Sequence, residues 1–272
     1  MASRNLSVIL LILLVFAPPL QAGILVLGEL THEHTLQPGD SAAGSIEVMN
    51  QGEESEQVRV YQTDYSYQAD GTNYYGDPGQ LPRSNASWIE YSPRQFVVLP
   101  GERVVVNYII KVPDEELAGS YWSMMMIEPV QNLDVDDSAG GLQVLTVFRY
   151  GVQLIAHIGS ANLVSLRFDN VQLAREEKGL FLQLDIENNG DVMVRPSVWA
   201  ELFSADGQFA GKFEARKGRI LPGTSIRRQI DVTGLDAGMY KALIVGDCGG
   251  DDIFGMELNL EIEALKNGES AP

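Results

Sequence analysis

Three histidines are the residues whose type and spacing most directly suggest chemistry. His32 and His34 lie two apart in THEHTLQPGD, and His157 lies in a later apolar run. Histidines at i and i+2 share one face of a strand, an arrangement that suits zinc or copper. However, Pro38-Gly39 indicates a turn, and spacing fixes no carboxylate or third ligand. We therefore interpret this segment as a loop with structural or solvent-exposed histidines, and we expect no metal and no cofactor.

Two acidic turns have a composition that could attract calcium. They are NLDVDDSAGG, with Asp134, Asp136 and Asp137, and GDCGGDDIFG, with Asp247, Asp251 and Asp252. The first turn has Ala139 and Leu145 where a calcium loop requires glycine and glutamate. The second turn is better explained as a hairpin connection. Neither turn is expected to bind calcium.

The motifs of nucleophilic and phosphoryl-transfer enzymes are missing from the sequence. There is no G-x-S-x-G, and no glycine-rich loop follows a strand and opens a helix. Cys248 is the single cysteine, which excludes an intramolecular disulfide and a cysteine-based zinc site. We expect a buried thiol and a protein that is not an enzyme.

Residues 1–22 have the pattern of a secretory signal peptide. Arg4 precedes an apolar run from Leu6 to Ala17, Pro18-Pro19 interrupts it, and Ala22 suits cleavage. No other segment reaches the roughly 18 apolar residues that a membrane span needs. The sequence predicts export to the periplasm, with the cell surface as the alternative location.

The charge balance restricts the possible partners. The chain has 19 Lys+Arg against 37 Asp+Glu, a formal net charge of -18. Nucleic acid and anionic membrane surfaces are poor partners for such a chain. Proteins, and possible cell-wall polymers, remain as candidates.

The chain is organised around one long alternating segment, LQVLTVFRYGVQLIAHI, which covers residues 142–158. Its even positions, from Leu142 to Ile158, form an almost unbroken apolar face at the period of a strand. A strand of this length must bend, with Gly151 as the expected position, or project beyond its own sheet. Its place near the middle of the chain suggests that it closes one domain.

Turn signals repeat between the two halves of the chain. Asn188-Asn189-Gly190 corresponds to Asn50-Gln51-Gly52, and Leu221-Pro222-Gly223 corresponds to Leu99-Pro100-Gly101. Short alternating runs separate these turns in both halves. This pattern predicts an all-β protein with two tandem immunoglobulin-like β-sandwich domains. We place the domains at residues 23–158 and 159–265, followed by a frayed tail at 266–272.

The first half resembles the PapD-like periplasmic chaperone superfamily. The resemblance rests on the Asn/Gly turn, on W-I-x-x-x-P-x-x-F-x-x-L-P-G-E from Trp88 to Glu102, and on the L-Q-V…V-Q-L run from Leu142 to Leu154. The second half, with its N-N-G…ADG…LPG…GxY order, is similar to the C-terminal domain of cell-wall WxL-interacting proteins.

The resemblance implies that the last strand of the first domain is donated to an incomplete client sheet. By position, the donated side chains would be Val144, Thr146 and Phe148. The alternative is that these residues belong to the core of the first sandwich. Fimbrial members also hold a client carboxylate with two basic cleft residues, but Gln153 aligns with the lysine, and no Lys or Arg lies between the signal peptide and Arg59. Arg149 is a possible substitute, so this carboxylate clamp is expected to be absent or rebuilt.

Two functions follow from the sequence as hypotheses. The first is a non-enzymatic periplasmic chaperone that binds secreted or surface-destined β-rich proteins, such as pilus-like subunits, through an exposed edge strand and the interdomain cleft. The second is a structural or adhesive envelope protein that binds cell-wall polymer or surface proteins. Six of the ten tyrosines lie between Tyr61 and Tyr91, and this insertion is either a partner-facing patch or ordinary hairpin packing.

Overall fold

The computed structural model describes residues 23–130, 148–159 and 163–263, and nearly all regular structure in these ranges is β-strand. The signal-peptide and tail predictions lie outside the described residues. A single 3-10 turn, Ala86–Trp88, interrupts the strands. Within the described ranges, no helix is long and apolar enough to cross a bilayer.

Ten strands form the first half of the chain. In chain order, β1 to β10 are Ile24–Leu27, Thr31–Leu36, Ser41–Asn50, Glu56–Tyr67, Asn73–Gly76, Ile89–Ser92, Gln95–Val98, Arg103–Lys111, Gly119–Pro129 and Tyr150–Ile158. Seven more strands form the second half. These strands, β11 to β17, are Leu166–Glu176, Gly179–Asn188, Ser197–Ser204, Phe209–Glu214, Ser225–Asp231, Gly238–Asp247 and Ile253–Ile262.

The first half is a sandwich of two sheets. One sheet has the order β1-β3-β8-β6, and the other has the order β2-β10-β9-β4-β5, with β7 also paired to β4. Alternate residues of each strand point inward, because successive side chains on a strand face opposite sides. Val48, Val106, Met125, Ile127 and Leu154 are among the fully buried members of this core.

The second half is a separate sandwich with its own core. Its sheets have the orders β11-β12-β15 and β14-β13-β16-β17. Leu182, Leu184, Ile186, Ala200 and Ile244 are completely buried between them. The prediction of an all-β chain with two tandem immunoglobulin-like sandwiches is confirmed.

The repeated turns have the same geometry in both sandwiches. Asn50 donates its side-chain amide to the carbonyls of Glu54 and Val98, and Asn188 donates to those of Val192 and Ile220. In each copy the asparagine Oδ1 accepts the N–H of the glycine two residues later, at 2.8 and 2.9 Å. Both asparagines are fully buried. The internal repeat in the sequence therefore corresponds to one buried asparagine that ties three backbone segments together in each domain.

The first two strands of the fold, β1 and β2, belong to different sheets. β1 pairs antiparallel with β3, the chain turns at Gly28, whose φ is 88°, and β2 then pairs parallel with β10. The loop prediction for THEHTLQPGD is therefore wrong over Thr31–Leu36. The segment is polar and short, and only its pairing with a strand distant in sequence makes it extended.

The alternation predicted for β10 is present. Val152, Leu154, Ala156 and Ile158 are buried in the first core. The register against β9 runs without interruption from Tyr150 to Ile158, so there is no β-bulge at Gly151 in this pairing. Residues 142–147 lie outside the described part of the chain.

Candidate protein-binding site

The amino-terminal end of β10 has an open edge. β9 pairs with β10 along its whole length, but β2 pairs only with Gln153 to Ile158. The Gln153 N–H donates to the carbonyl of Leu30 at 2.9 Å, and this is where the β2 side begins. Because alternate residues of a strand direct their backbone groups to the same side, the N–H and C=O of Gly151 point to the open side. Among the described residues, no strand pairs with Gly151 there.

Two of the predicted site residues, Phe148 and Arg149, directly precede β10. Phe148 precedes β10 and its surface is 55% exposed. Arg149 is also exposed, and its charge lies close enough to Glu128 to contribute to the lowered pKa of that carboxyl, whose main cause is the hydrogen bond from Arg59. Val144 and Thr146 lie outside the described residues.

A groove of about 670 Å³ adjoins the open edge. The residues that line it include Tyr61, Met124, Met126, Arg149 and Gly151. Packing explains why residue 151 is a glycine, because a Cβ at this position would lie 2.5 Å from the Met124 methyl group. Methionine side chains are flexible and polarisable, so this surface can adapt to apolar groups of different shapes.

Gln153 takes part in a contact between the two sandwiches. It is only 8% exposed, and its Oε1 accepts a hydrogen bond of 3.1 Å from Nη1 of Arg219 in the second sandwich. The same guanidinium lies 3.8 Å from Glu33, a residue of β2. Glu33 also forms an ion pair with Arg195 and lies 3.5 Å from Nε2 of His157.

These contacts define an interdomain cluster of Glu33, Gln153, His157, Arg195 and Arg219. Burial alone would raise the pKa of Glu33, but the hydrogen bond and charge of Arg195, with contributions from His157 and Arg219, lower it below its usual value. The first sandwich thus supplies an acid and an amide to the cleft, and the second supplies the cations. Among the described residues, the strands β1, β2 and β10 themselves contain no lysine or arginine.

The two remaining histidines lie on the face of β2 that is opposite to Glu33. His32 and His34 face Tyr108 on the opposite sheet, with nitrogen–oxygen distances of 2.8 and 3.0 Å to its hydroxyl. His32 Nε2 lies 3.1 Å from the carbonyl of Glu29, so this nitrogen is the donor. With Nε2 as the donor, Nδ1 of His32 is the acceptor of the Tyr108 hydroxyl, and His34 donates to the Tyr108 oxygen. The pair joins the two sheets, and His157, near Glu33, lies on the other face of the sheet.

Among the described residues, which include the second acidic turn and Cys248, there is no group of three or more possible metal ligands. In the second turn, Asp247 accepts the N–H of Gly249 at 2.7 Å, as expected for a hairpin connection. Cys248 packs against the second core, and burial raises the pKa of its thiol to about 11. Asp134, Asp136 and Asp137 lie outside the described residues.

A small apolar cluster also joins the domains. Trp122 and Ile155, on the outer face of the first sandwich, pack against Leu221, and all three are buried. Tyr67 adds a hydrogen bond of 2.9 Å from its hydroxyl to the carbonyl of Arg219. Together with the ionic cluster, these contacts hold the cleft face of β9 and β10 against the second sandwich.

The tyrosine-rich insertion is built on a buried carboxylate. Asp64 is fully buried and accepts the backbone N–H groups of Gly79, Gln80 and Leu81 at 2.7–3.1 Å. Ser84 donates to the same carboxylate. The loop that is fixed in this way carries Arg83, which forms an ion pair with Asp191 of the second sandwich. The insertion therefore connects the two domains.

The tyrosines of the insertion pack partly against each other. The ring of Tyr65 lies 5.6 Å from that of Tyr67 and 5.0 Å from that of Tyr75, measured between centroids. Tyr74 and Tyr75 nevertheless keep about half of their surface exposed, at 44% and 55%. Hairpin packing and an exposed aromatic surface are therefore both present.

Sequence reasoning did not identify Glu33, Arg195 and Arg219 as cleft residues. Glu33 lies between the two histidines that were considered for metal binding, and its orientation follows from the pairing of β2. The arginines come from a domain whose placement the sequence does not reveal. The alternation of His32, Glu33 and His34 was the available signal, since it places the acid on the face opposite the histidines.

Comparisons with known proteins give structural similarities only. No protein-family model matches the sequence, and no curated protein sequence matches it. Among solved structures, a chain of a chaperone–tip adhesin complex involved in CFA/I fimbriae biogenesis is 15% identical, with a TM-score of 0.48 and coverage of 89% of this chain and 100% of the other.

Two further structures are similar to a comparable degree. The class 5 fimbriae chaperone CfaA is 14% identical, with a TM-score of 0.45 and coverage of 89% and 100%. The CsuC–CsuE pre-assembly complex of Acinetobacter baumannii is 15% identical, with a TM-score of 0.43 and coverage of 86% and 97%. At such identities and TM-scores, what the chain binds has to be inferred from its own side chains.

Proposed function

We propose that the protein is a non-enzymatic assembly chaperone of the periplasm that binds β-rich secreted or surface-destined proteins. The observation that supports this most directly is the open edge of β10 beside Gly151. An exposed edge offers backbone hydrogen bonds to an incoming strand, and alternate side chains provide specificity. In this proposal Val144, Thr146 and Phe148 insert into the client, and the first sandwich spans residues 23–158 and the second 159–265.

Arg149 and Gln153 have different roles in the proposed complex. Arg149 lies beside the edge and the methionine-lined groove, where it contacts the client directly. Gln153 is held by Arg219 and contributes through the orientation of the two domains. The groove next to Gly151 receives apolar side chains of the client strand, because Met124 and Met126 can rearrange around them.

The test is purification of the tagged protein from its own host, followed by mass spectrometry of bound proteins. We expect one β-rich exported protein in roughly equal amount, since a donated strand pairs with one client sheet. Phe148→Glu should remove this client, because a charge in an apolar client pocket is strongly unfavourable. The matched control is Phe209→Glu in the second sandwich, where the phenylalanine is 60% exposed.

Full client retention by a folded Phe148→Glu protein would show that edge donation is wrong. Recovery of the wild-type protein alone, or with cell-wall fragments, would instead support the structural envelope protein. Circular dichroism and thermal unfolding of each variant establish that the comparison concerns folded proteins.

A further inference from the structure

The second sandwich carries a concentration of positive charge that contrasts with the composition of the chain. Arg216, Lys217 and Arg219 lie in the connection between β14 and β15, and Arg228 lies on β15 itself. We call these four residues the basic patch. They occur in a chain whose formal net charge is -18, so the patch is a local excess of positive charge in an acidic protein.

Arg228 shows how closely the patch is packed. Its strand, β15, is an edge strand, and Arg228 pairs in register with Leu184, a fully buried core residue. The guanidinium packs directly against Gly218. A Cβ added at Gly218 would lie 1.6 Å from Nη2 of Arg228. Burial, and then the charge of Arg216, lower the pKa of Arg228. The fold thus brings two like charges together.

Acidic partners are scarce at the patch. Within the described ranges, Arg216, Lys217 and Arg228 form no ion pair, and the one carboxylate near Arg219 is Glu33 at 3.8 Å. Elsewhere on the surface, ion pairs with acids are common for the basic residues. Examples are Arg59, Arg103, Lys111, Arg167 and Lys241. The basic patch therefore keeps unneutralised charge available on an otherwise acidic protein.

The basic patch is continuous with the cleft face of the first sandwich. The backbone carbonyl of Arg219 accepts a hydrogen bond from the Tyr67 hydroxyl, and its guanidinium donates one to Gln153 of β10. Arg216 and Lys217, on the same loop, are exposed. A chain segment leaving the open edge of β10 along the cleft would meet these cations.

We propose that the basic patch binds an acidic segment of the protein client, with two or more carboxylate side chains, next to the strand that pairs with β10. This inference rests on the proposed function, because it takes the client from the edge of β10. The remaining surface is strongly acidic and repels such a segment elsewhere, so the patch would fix its position and direction.

The first experiment measures binding of a fluorescein-labelled octaglutamate peptide to the full chain by fluorescence anisotropy at low ionic strength. We expect binding to the wild type and roughly tenfold weaker binding to Arg216→Gln/Lys217→Gln, since two exposed charge interactions are lost. Added salt should weaken the wild-type complex as the Debye length shortens. The matched control is Arg103→Gln/Lys111→Gln, which removes the same charge from the first sandwich and should bind like the wild type.

Failure of the wild type to bind octaglutamate, or equal loss in both double variants, would overturn the inference. Tighter, patch-dependent binding of polyphosphate of matched charge would also overturn it, in favour of an anionic polymer. Client purification separates the two proposals. If the wild type retains a client and Arg216→Gln/Lys217→Gln retains it equally at all salt concentrations, the patch inference fails and the proposed function stands. If the wild type retains no client, the proposed function fails.

Discussion

Glu33 of the first sandwich and Arg219 of the second face each other across the domain boundary, with charged atoms 3.8 Å apart. Arg219 simultaneously holds Gln153 on β10. The pair therefore couples the strand beside the open edge to the position of the second domain. An acid on β2 of the first sandwich therefore faces basic side chains that the second sandwich supplies.

Replacing Glu33 by Gln should loosen the domain arrangement. The variant loses the ion pairs with Arg195 and Arg219, which are partly solvent-screened, so the free energy of unfolding should fall by about 1 kcal/mol or less. Small-angle X-ray scattering should show a broader distribution of interdomain distances. Glu47→Gln is the control, because its partner Arg103 lies in the same sheet. Identical scattering from wild type and Glu33→Gln would contradict the coupling.

Lowering the pH should broaden the distribution of interdomain distances in the wild type in the same way. The folded-state pKa of Glu33 is lowered, so its contribution to stability is present above the unfolded-state value of 4.5 and is lost as pH falls through the folded-state pKa. Scattering profiles of the wild type should therefore approach those of Glu33→Gln as the pH falls from 4.5 through the folded-state pKa of Glu33. Glu33→Gln itself should show a smaller change over this range.

Asp64 should be one of the most sensitive positions in the first sandwich. Asp64→Ala leaves the N–H groups of Gly79, Gln80 and Leu81 without their acceptor, and we expect a loss of about 3 kcal/mol in the free energy of unfolding. Urea denaturation measures this loss, and limited proteolysis should show earlier cleavage in the insertion. Asp77→Ala, at an exposed position of the same loop, should change stability by less than about 0.5 kcal/mol. Equal stability of the two variants would refute the role of Asp64.

The two buried asparagines should behave as equivalent and independent supports. Asn50→Ala and Asn188→Ala each leave two carbonyls and one N–H without a partner, so each should reduce stability by about 2–3 kcal/mol. Their effects should add in the double variant, because the sites lie in different cores. Thermal or urea unfolding monitors all three proteins. Exposed Asn107→Ala and Asn259→Ala are the matched controls, and a strong effect from either would argue against the burial explanation.

His34 should contribute to the pH dependence of stability. Burial, followed by the electrostatic effect of the neighbouring His32 ring, lowers the pKa of His34 below its usual 6.5. A lowered pKa means that the stabilising contribution is complete above pH 6.5 and is lost as pH falls through the folded-state value. Urea denaturation from about pH 7.5 to pH 5 should show a smaller decline for His34→Gln than for the wild type. An unchanged decline would exclude His34 as its source.

Local patterns in the sequence predicted much of this architecture. Asn50-Gln51-Gly52 and Asn188-Asn189-Gly190 marked equivalent turns because a buried asparagine and a nearby glycine satisfy the same backbone groups in both copies. The even positions of β10 were identified because an apolar face at period two has a single interpretation in a half-buried strand. Both signals are carried by neighbouring residues.

The cleft could not be predicted in the same way. Thr31–Leu36 is too polar and too close to Pro38 to indicate a strand, and it becomes one by pairing with β10, more than a hundred residues away. The direction of Glu33 depends on that pairing. Arg195 and Arg219 come close to Glu33 because Trp122, Ile155 and Leu221 pack between the domains, a contact that leaves no periodic trace in the sequence.

Because β1 and β2 belong to different sheets, they find their partners at different stages of synthesis. β1 finds its partner in β3 early, but β2 pairs with β10, which ends at Ile158. A chain that emerges amino-terminus first, from a ribosome or through a membrane pore, must therefore leave its opening segment half-engaged until more than half of its length has appeared. Truncation before β10 would leave β2 without its partner, so the shortest fragment that can fold as the first sandwich has to include the whole of β10.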